Sequence, residues 1–111
     1  MGKPRSDNLQ GTLDLLVLKA LASRGDMHGY AIANHIQQVT DDTLRIEEGS
    51  LYPALHRMQG DEWIEAEWSV SATNRRVKVY RITAAGRKQL AREEEQWNRF
   101  NKAVSKALRF A

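Results

Sequence analysis

The sequence predicts a mainly α fold carrying one small antiparallel β hairpin. Three observations predict it. Apolar residues recur at helical spacing through the first sixty positions. A two-residue period replaces that spacing from 64 to 83. A seven-residue recurrence then occupies the end of the chain. With 111 residues there is room for one domain and a modest core.

Residues 9–24 read as the first helix, after a polar arm over 1–8. Leu13, Leu16, Val17, Ala20 and Leu21 follow the i, i+3, i+4, i+7, i+8 pattern of a buried face. Leu15, Leu18 and Ala22 form a second stripe, for which either a central place in the monomer or a subunit interface is an explanation; the interface explains it better, because so small a domain hardly surrounds a helix. Gly25 ends this helix. His28-Gly29 open the next, 29–39, with Tyr30, Ile32, Ala33 and Ile36 inward. Thr40-Asp41-Asp42 is a turn, and Leu44-Arg45-Ile46 a strand fragment.

Pro53 locates the third helix. Lacking an N–H, proline fits without loss only in a helix's first turn. Ser50 is then the cap, and the helix runs from 51 to about 59. Leu51, Leu55 and Met58 face inward, while Tyr52, Pro53, His56, Arg57 and Gln59 lie opposite. Ile64, Ala66, Trp68 and Val70 alternate with Glu65, Glu67 and Ser69 as a half-buried strand. After the turn Ser71-Ala72-Thr73-Asn74-Arg75 comes a return strand, 76–83, whose imperfect alternation calls for a bulge or two covered faces. Thr83 caps a last helix over 84–109, on which Leu90, Trp97 and Val104 recur every seven residues, with Phe100, Ala107 and Leu108 on the same face. A helix of that length, about 38 Å, outruns a three-helix core. Its seam predicts pairing with another chain.

Charge is segregated. Residues 41–70 hold 2 basic and 8 acidic groups, residues 71–88 hold 6 basic and none acidic, and the net charge is only +3. Such asymmetry asks for a localised anionic partner. The order helix, helix, short strand, helix, basic hairpin describes a winged helix-turn-helix, here followed by a long C-terminal dimerisation helix. The third helix of such a fold enters the DNA major groove, and the hairpin, or wing, touches flanking backbone. The domain division is therefore an arm (1–8), a DNA-binding winged helix (9–83) and a dimerisation helix (84–111).

Other classes are excluded. Without cysteine there is no disulfide frame, thiolate metal site or cysteine nucleophile. His28, His35 and His56 fall on different elements without metal-ligand spacing, and no phosphate loop or nucleophile motif is present, so neither an enzyme nor a cofactor is expected. The longest apolar run, Leu15-Leu16-Val17-Leu18, is too short for a membrane span, and the first residues lack a leader's apolar stretch. A cytoplasmic location is expected, with no membrane partner.

Four stretches carry a family resemblance: Leu9-Gln10-Gly11-Thr12-Leu13, His28-Gly29-Tyr30, Glu48-Gly49-Ser50-Leu51-Tyr52-Pro53-Ala54-Leu55-His56-Arg57-Met58, and Tyr80-Arg81-Ile82-Thr83-Ala84-Ala85-Gly86. Over residues 9–108 the chain resembles the PadR family of transcriptional regulators, in its short form with one C-terminal helix. The resemblance implies a homodimer on a double-stranded DNA operator, mostly repressing, and released by a small aromatic or amphipathic effector. One departure is the wing, where a glycine-led basic run is usual and Asn74-Arg75-Arg76-Val77-Lys78 stands instead.

The expected DNA contacts are Ser50, Tyr52, Pro53, His56 and Arg57 on the third helix and Asn74, Arg75, Arg76 and Lys78 on the wing. Arg57 is the expected base or phosphate reader, because its fork matches guanine edges and phosphates. Duller readings stand beside these: Tyr52 as a hydrophobic cover, His56 and Arg57 as a solvated face, the wing cations as solubility. The expected dimer contacts are Leu15, Leu18, Leu90, Trp97, Phe100, Val104 and Leu108. By resemblance, Leu15, Trp97 and Phe100 would meet an effector, although seam packing alone already explains Trp97. Two alternatives remain open, a winged-helix module that binds protein without DNA and a DNA-binding repressor without an effector.

Overall fold

The computed structural model describes residues 5–110. Its elements are α1 (Arg5–Arg24), β1 (Met27–His28), α2 (Gly29–Val39), α3 (Glu48–Gly60), β2 (Ile64–Val70), β3 (Arg76–Ile82) and α4 (Ala84–Phe110). The fold is mainly helical, with a three-stranded antiparallel sheet in the order β1-β3-β2. Of the predicted arm, residues 1–4 lie outside the described residues, and α1 already begins at Arg5.

α1 is the central helix, packing against α2, α3, α4 and β3. Val17, Leu18, Ala20 and Leu21 are fully or almost fully buried there, together with Ile32 and Ile36 of α2 and Leu51, Ala54, Leu55 and Met58 of α3. Burying one such leucine or isoleucine is worth about 2 kcal/mol. This packing overturns Leu18 as a dimer contact, because the chain's own core encloses it (0% exposed). Leu90 likewise turns into this core, whereas Leu15 is half-buried against its edge.

The short strand lies before α2 and not after it. Leu44-Arg45-Ile46 makes no strand, whereas Met27 and His28 pair with Tyr80 and Val79. β3 is therefore the centre strand. Its register with β2 runs unbroken from Ile64↔Ile82 to Val70↔Arg76, so the imperfect alternation comes from two covered faces without a bulge: Tyr80 is buried on one, Val77 and Val79 half-buried on the other. β2 departs from its predicted burial. Ile64 is buried and Ala66 half-buried, but Trp68 and Val70 are exposed because the hairpin extends past the core. Tyr30, expected inward, is also exposed and stacks beside His28, with ring centroids 6.4 Å apart.

The joint between hairpin and α4 explains the Thr-Ala-Ala-Gly stretch. Thr83 Oγ1 accepts from the Gly86 N–H, as an N-cap should, while the Thr83 N–H donates to the Trp63 carbonyl at 3.0 Å. Gly86 sits so close that a Cβ there would lie 2.0 Å from that carbonyl oxygen. α4 then leaves the body. Beyond Glu94, paired with Lys19 of α1 at 3.2 Å, the apolar residues Trp97, Phe100, Val104 and Leu108 are exposed.

Candidate nucleic-acid interface

α3 begins at Glu48, capped by the Glu47 backbone with no side-chain hydrogen bond. Ser50 is therefore an exposed first-turn residue and not the cap. Pro53 becomes the sixth helical residue, where its missing N–H leaves the carbonyl of Gly49 without a helical donor. Both Gly49 and Pro53 are exposed. The inward face of Leu51, Leu55 and Met58 is as expected, and Tyr52, Pro53 and His56 face outward.

β1 brings the opening of α2 into the space between α3 and the wing. His28 caps α2, its Nδ1 accepting from the Ala31 N–H at 3.3 Å. Next to it, Gly29 is buried beneath the Tyr52 ring, and a Cβ on Gly29 would stand 2.8 Å from that ring and its hydroxyl. The His-Gly-Tyr and Leu-Tyr-Pro stretches are thus one contact. Tyr52 covers Gly29 with part of its ring and leaves the rest exposed (42%). It also approaches Tyr80, whose phenol is pushed above its ordinary pKa first by burial and then by Tyr52.

A groove of about 1040 Å³ results. Tyr52, His56 and Gln59 of α3 form one wall, Trp68, Arg75, Arg76 and Lys78 of the hairpin the other. The wing is turned by Ser71–Asn74, with the Asn74 N–H donating to the Ser71 carbonyl at 2.9 Å and Asn74 at φ 62°. Asparagine tolerates this left-handed conformation and so replaces the expected glycine.

The cations divide into engaged and free. Arg57 Nη1 and Nη2 donate to the two carboxylate oxygens of Asp14 at 2.8 and 2.7 Å. That hydrogen-bonded pair raises the Arg57 pKa further above its ordinary value, burial opposing it. One N–H of each terminal nitrogen is given to Asp14, so Arg57 ties α3 to α1, a role that the expectation of a base or phosphate reader did not foresee. Arg81 is drawn to Glu67 at 3.4 Å and to Asp26 at 3.9 Å. Among the described residues, Arg75, Arg76 and Lys78 have no carboxylate within ion-pair distance, and they are the cations that line the groove.

Sequence reasoning did not place Trp68 or Gly29 in this site. The signal for Trp68 was its register opposite Lys78, two residues from the basic turn. On α4, Trp97 and Phe100 form an exposed aromatic pair with ring centroids 6.1 Å apart. No helix among the described residues is long and apolar enough to cross a membrane.

Comparison with known proteins agrees with this geometry. Residues 17–92 match the model of the family described as "Transcriptional regulator PadR-like family". The structure of a transcriptional regulator from Clostridium thermocellum superposes with a TM-score of 0.80 at 32% identity, covering 90% of this chain and 96% of that one. A PadR family transcriptional regulator from Eggerthella lenta gives a TM-score of 0.75 at 31% identity, covering 96% of this chain and 90% of its own. A transcriptional regulator of Mycobacterium tuberculosis is 33% identical over 72 residues, 65% of this chain and 64% of that protein.

Proposed function

Because this chain belongs to the PadR-like family of transcriptional regulators, which bind DNA and are not enzymes, we propose that it is a homodimeric repressor released from its operator by a small aromatic or amphipathic ligand. The observation that carries the DNA-binding part is the groove itself: Tyr52 and His56 of α3 and the three wing cations without a carboxylate partner among the described residues line one concavity, with Ser50 and Pro53 exposed outside it. α3 lies in a major groove, with Ser50, Tyr52, Pro53 and His56 facing base edges and sugars. Arg75, Arg76 and Lys78 take adjacent phosphates, and Asn74 presents the turn that carries them.

The dimer reading rests on the outer part of α4, where Trp97, Phe100, Val104 and Leu108 form an apolar face left exposed among the described residues. A second copy covers it, and the half-buried Leu15 of α1 lies at its edge. Two-fold symmetry then sets the two α3 helices about one DNA turn apart, roughly 34 Å. A flat ligand between Trp97 and Phe100 of the two copies changes that spacing and weakens operator binding. An aromatic pair at helical spacing near the expected seam supports this step.

Footprinting on the protein's own upstream DNA, repeated with planar aromatic compounds, tests the whole reading. Protection of a pseudo-palindrome that a compound abolishes supports it. Tryptophan quenching by the same compound should be lost in Trp97→Phe. Binding that no compound disturbs leaves a ligand-independent repressor, and absence of binding at low salt leaves a protein-interaction module.

A further inference from the structure

We propose that Trp68, on the inner face of the wing, is a positioning residue that holds the phosphate-binding cations in place before DNA arrives. The inference rests on the DNA-binding reading above and adds a residue to it.

Ile64, Ala66, Trp68 and Val70 share one face of β2, opposite Ile82, Tyr80, Lys78 and Arg76 of β3. At the base this face joins the core, with Ile64 and Tyr80 buried. Toward the tip the core ends, yet the apolar series continues, leaving an indole 59% exposed beside the groove. A large exposed aromatic at the end of a core contributes little to burial. Its neighbours give it another use.

The Arg76 guanidinium carbon lies 4.6 Å from the Trp68 ring centroid, and Lys78 Nζ lies 5.8 Å from it. Both distances are within the range of cation–π attraction, which is strongest over tryptophan. This contact restrains a cation without using its donors. A carboxylate partner would occupy two of the N–H groups of Arg76 and offset its charge, as Asp14 does for Arg57. The ring leaves the fork open and its charge uncompensated. Among the described residues no carboxylate lies within ion-pair distance of either cation, so the indole is what organises them.

Ordering a long side chain at an interface costs affinity, so restraint in the free protein should show as tighter binding. Trp68→Ala should weaken binding to duplex operator about three- to five-fold at fixed salt. The slope of log affinity against log salt should stay at the wild-type value, because no cation is lost. Arg76→Ala, by contrast, should make the slope shallower by about one. Trp68→Phe, which keeps an aromatic face, should recover most of the affinity, while Trp68→Leu should behave like the alanine variant.

A double-mutant cycle decides the matter. With Arg76→Ala and Lys78→Ala already present, Trp68→Ala should cost less than about two-fold, since nothing remains to be positioned. Matched melting curves report whether each variant is folded. Wild-type affinity in Trp68→Ala, or an equal loss with and without the two cations, overturns the proposal and leaves the DNA-binding reading intact. A wild-type protein that binds no duplex overturns both.

Discussion

The guanidinium of Arg57 meets the carboxylate of Asp14 through two parallel hydrogen bonds of 2.7 and 2.8 Å, joining the last turn of α3 to the central helix. Asp14 is only 5% exposed, so the pair cannot be treated as a surface ion pair. Removing Arg57 leaves a carboxylate nearly buried and uncompensated. Breaking a fully buried pair costs about 3–5 kcal/mol, and the partial exposure of the Arg57 side chain (34%) brings the expectation down to about 2 kcal/mol. Denaturant unfolding of Arg57→Ala checks this. Adding Asp14→Asn should return part of the loss, because the charge left behind is then removed.

Gly86 offers a steeper test. A Cβ at this position would lie 2.0 Å from the Trp63 carbonyl oxygen, inside any possible contact, and the obstacle is backbone. Gly86→Ala should therefore cost on the order of 3 kcal/mol and displace α4. Gly60, at the end of α3, has nothing within 4 Å of its Cβ position. Gly60→Ala should be neutral or stabilising by a few tenths of a kcal/mol. Paired melting curves check both.

Burial, and then Tyr52, push the Tyr80 phenol above the ordinary tyrosine value of 10.0. With the folded pKa raised, the neutral phenol is the form the folded state prefers. Its contribution to stability is complete below pH 10 and is lost as pH rises from 10 toward the folded value. Wild type should lose stability faster than Tyr80→Phe across that window. The two should run parallel from pH 7 to 9. Denaturant midpoints against pH measure the difference.

On α4, Phe100 and Leu108 are 59% and 82% exposed. If a second copy covers them, a charge at the seam is buried without a partner. Phe100→Glu combined with Leu108→Glu should turn a dimer into a monomer in sedimentation, at little cost to the melting of the winged helix. The monomer should lose operator affinity by at least about ten-fold, since one half-site no longer supports the other.

Much of this was legible locally. The helical faces of α1 and α3, Ile32 and Ile36 on α2, the hairpin at 64–83 and the Thr83 cap all follow from spacing and residue type, whereas Tyr30, expected on the inward face of α2, is exposed. What escaped involves distant partners. A two-residue strand at Met27–His28 exists only because β3 pairs with it, whereas Leu44-Arg45-Ile46 has strand-like residues and no edge to join. The alternation of β2 announces an inward face but not where the core beneath it ends, so Trp68 and Val70 reach solvent. Pro53 suggested a first turn, yet α3 starts five residues before it. The tie to Asp14 spans 43 positions. One signal for it was present: Asp14 shares the helical face of Val17, Leu18 and Leu21, where an unpartnered carboxylate would be costly.

The central claim is that the groove between α3 and the wing holds duplex DNA through Arg75, Arg76 and Lys78. The most direct test is the salt dependence of binding to the protein's upstream duplex, compared between wild type and Arg75→Ala/Arg76→Ala. Each phosphate contact contributes about 0.9 to the slope of log affinity against log salt. The double variant should bind more weakly with a slope shallower by about two. Equal slopes and affinities for the two proteins would contradict the claim.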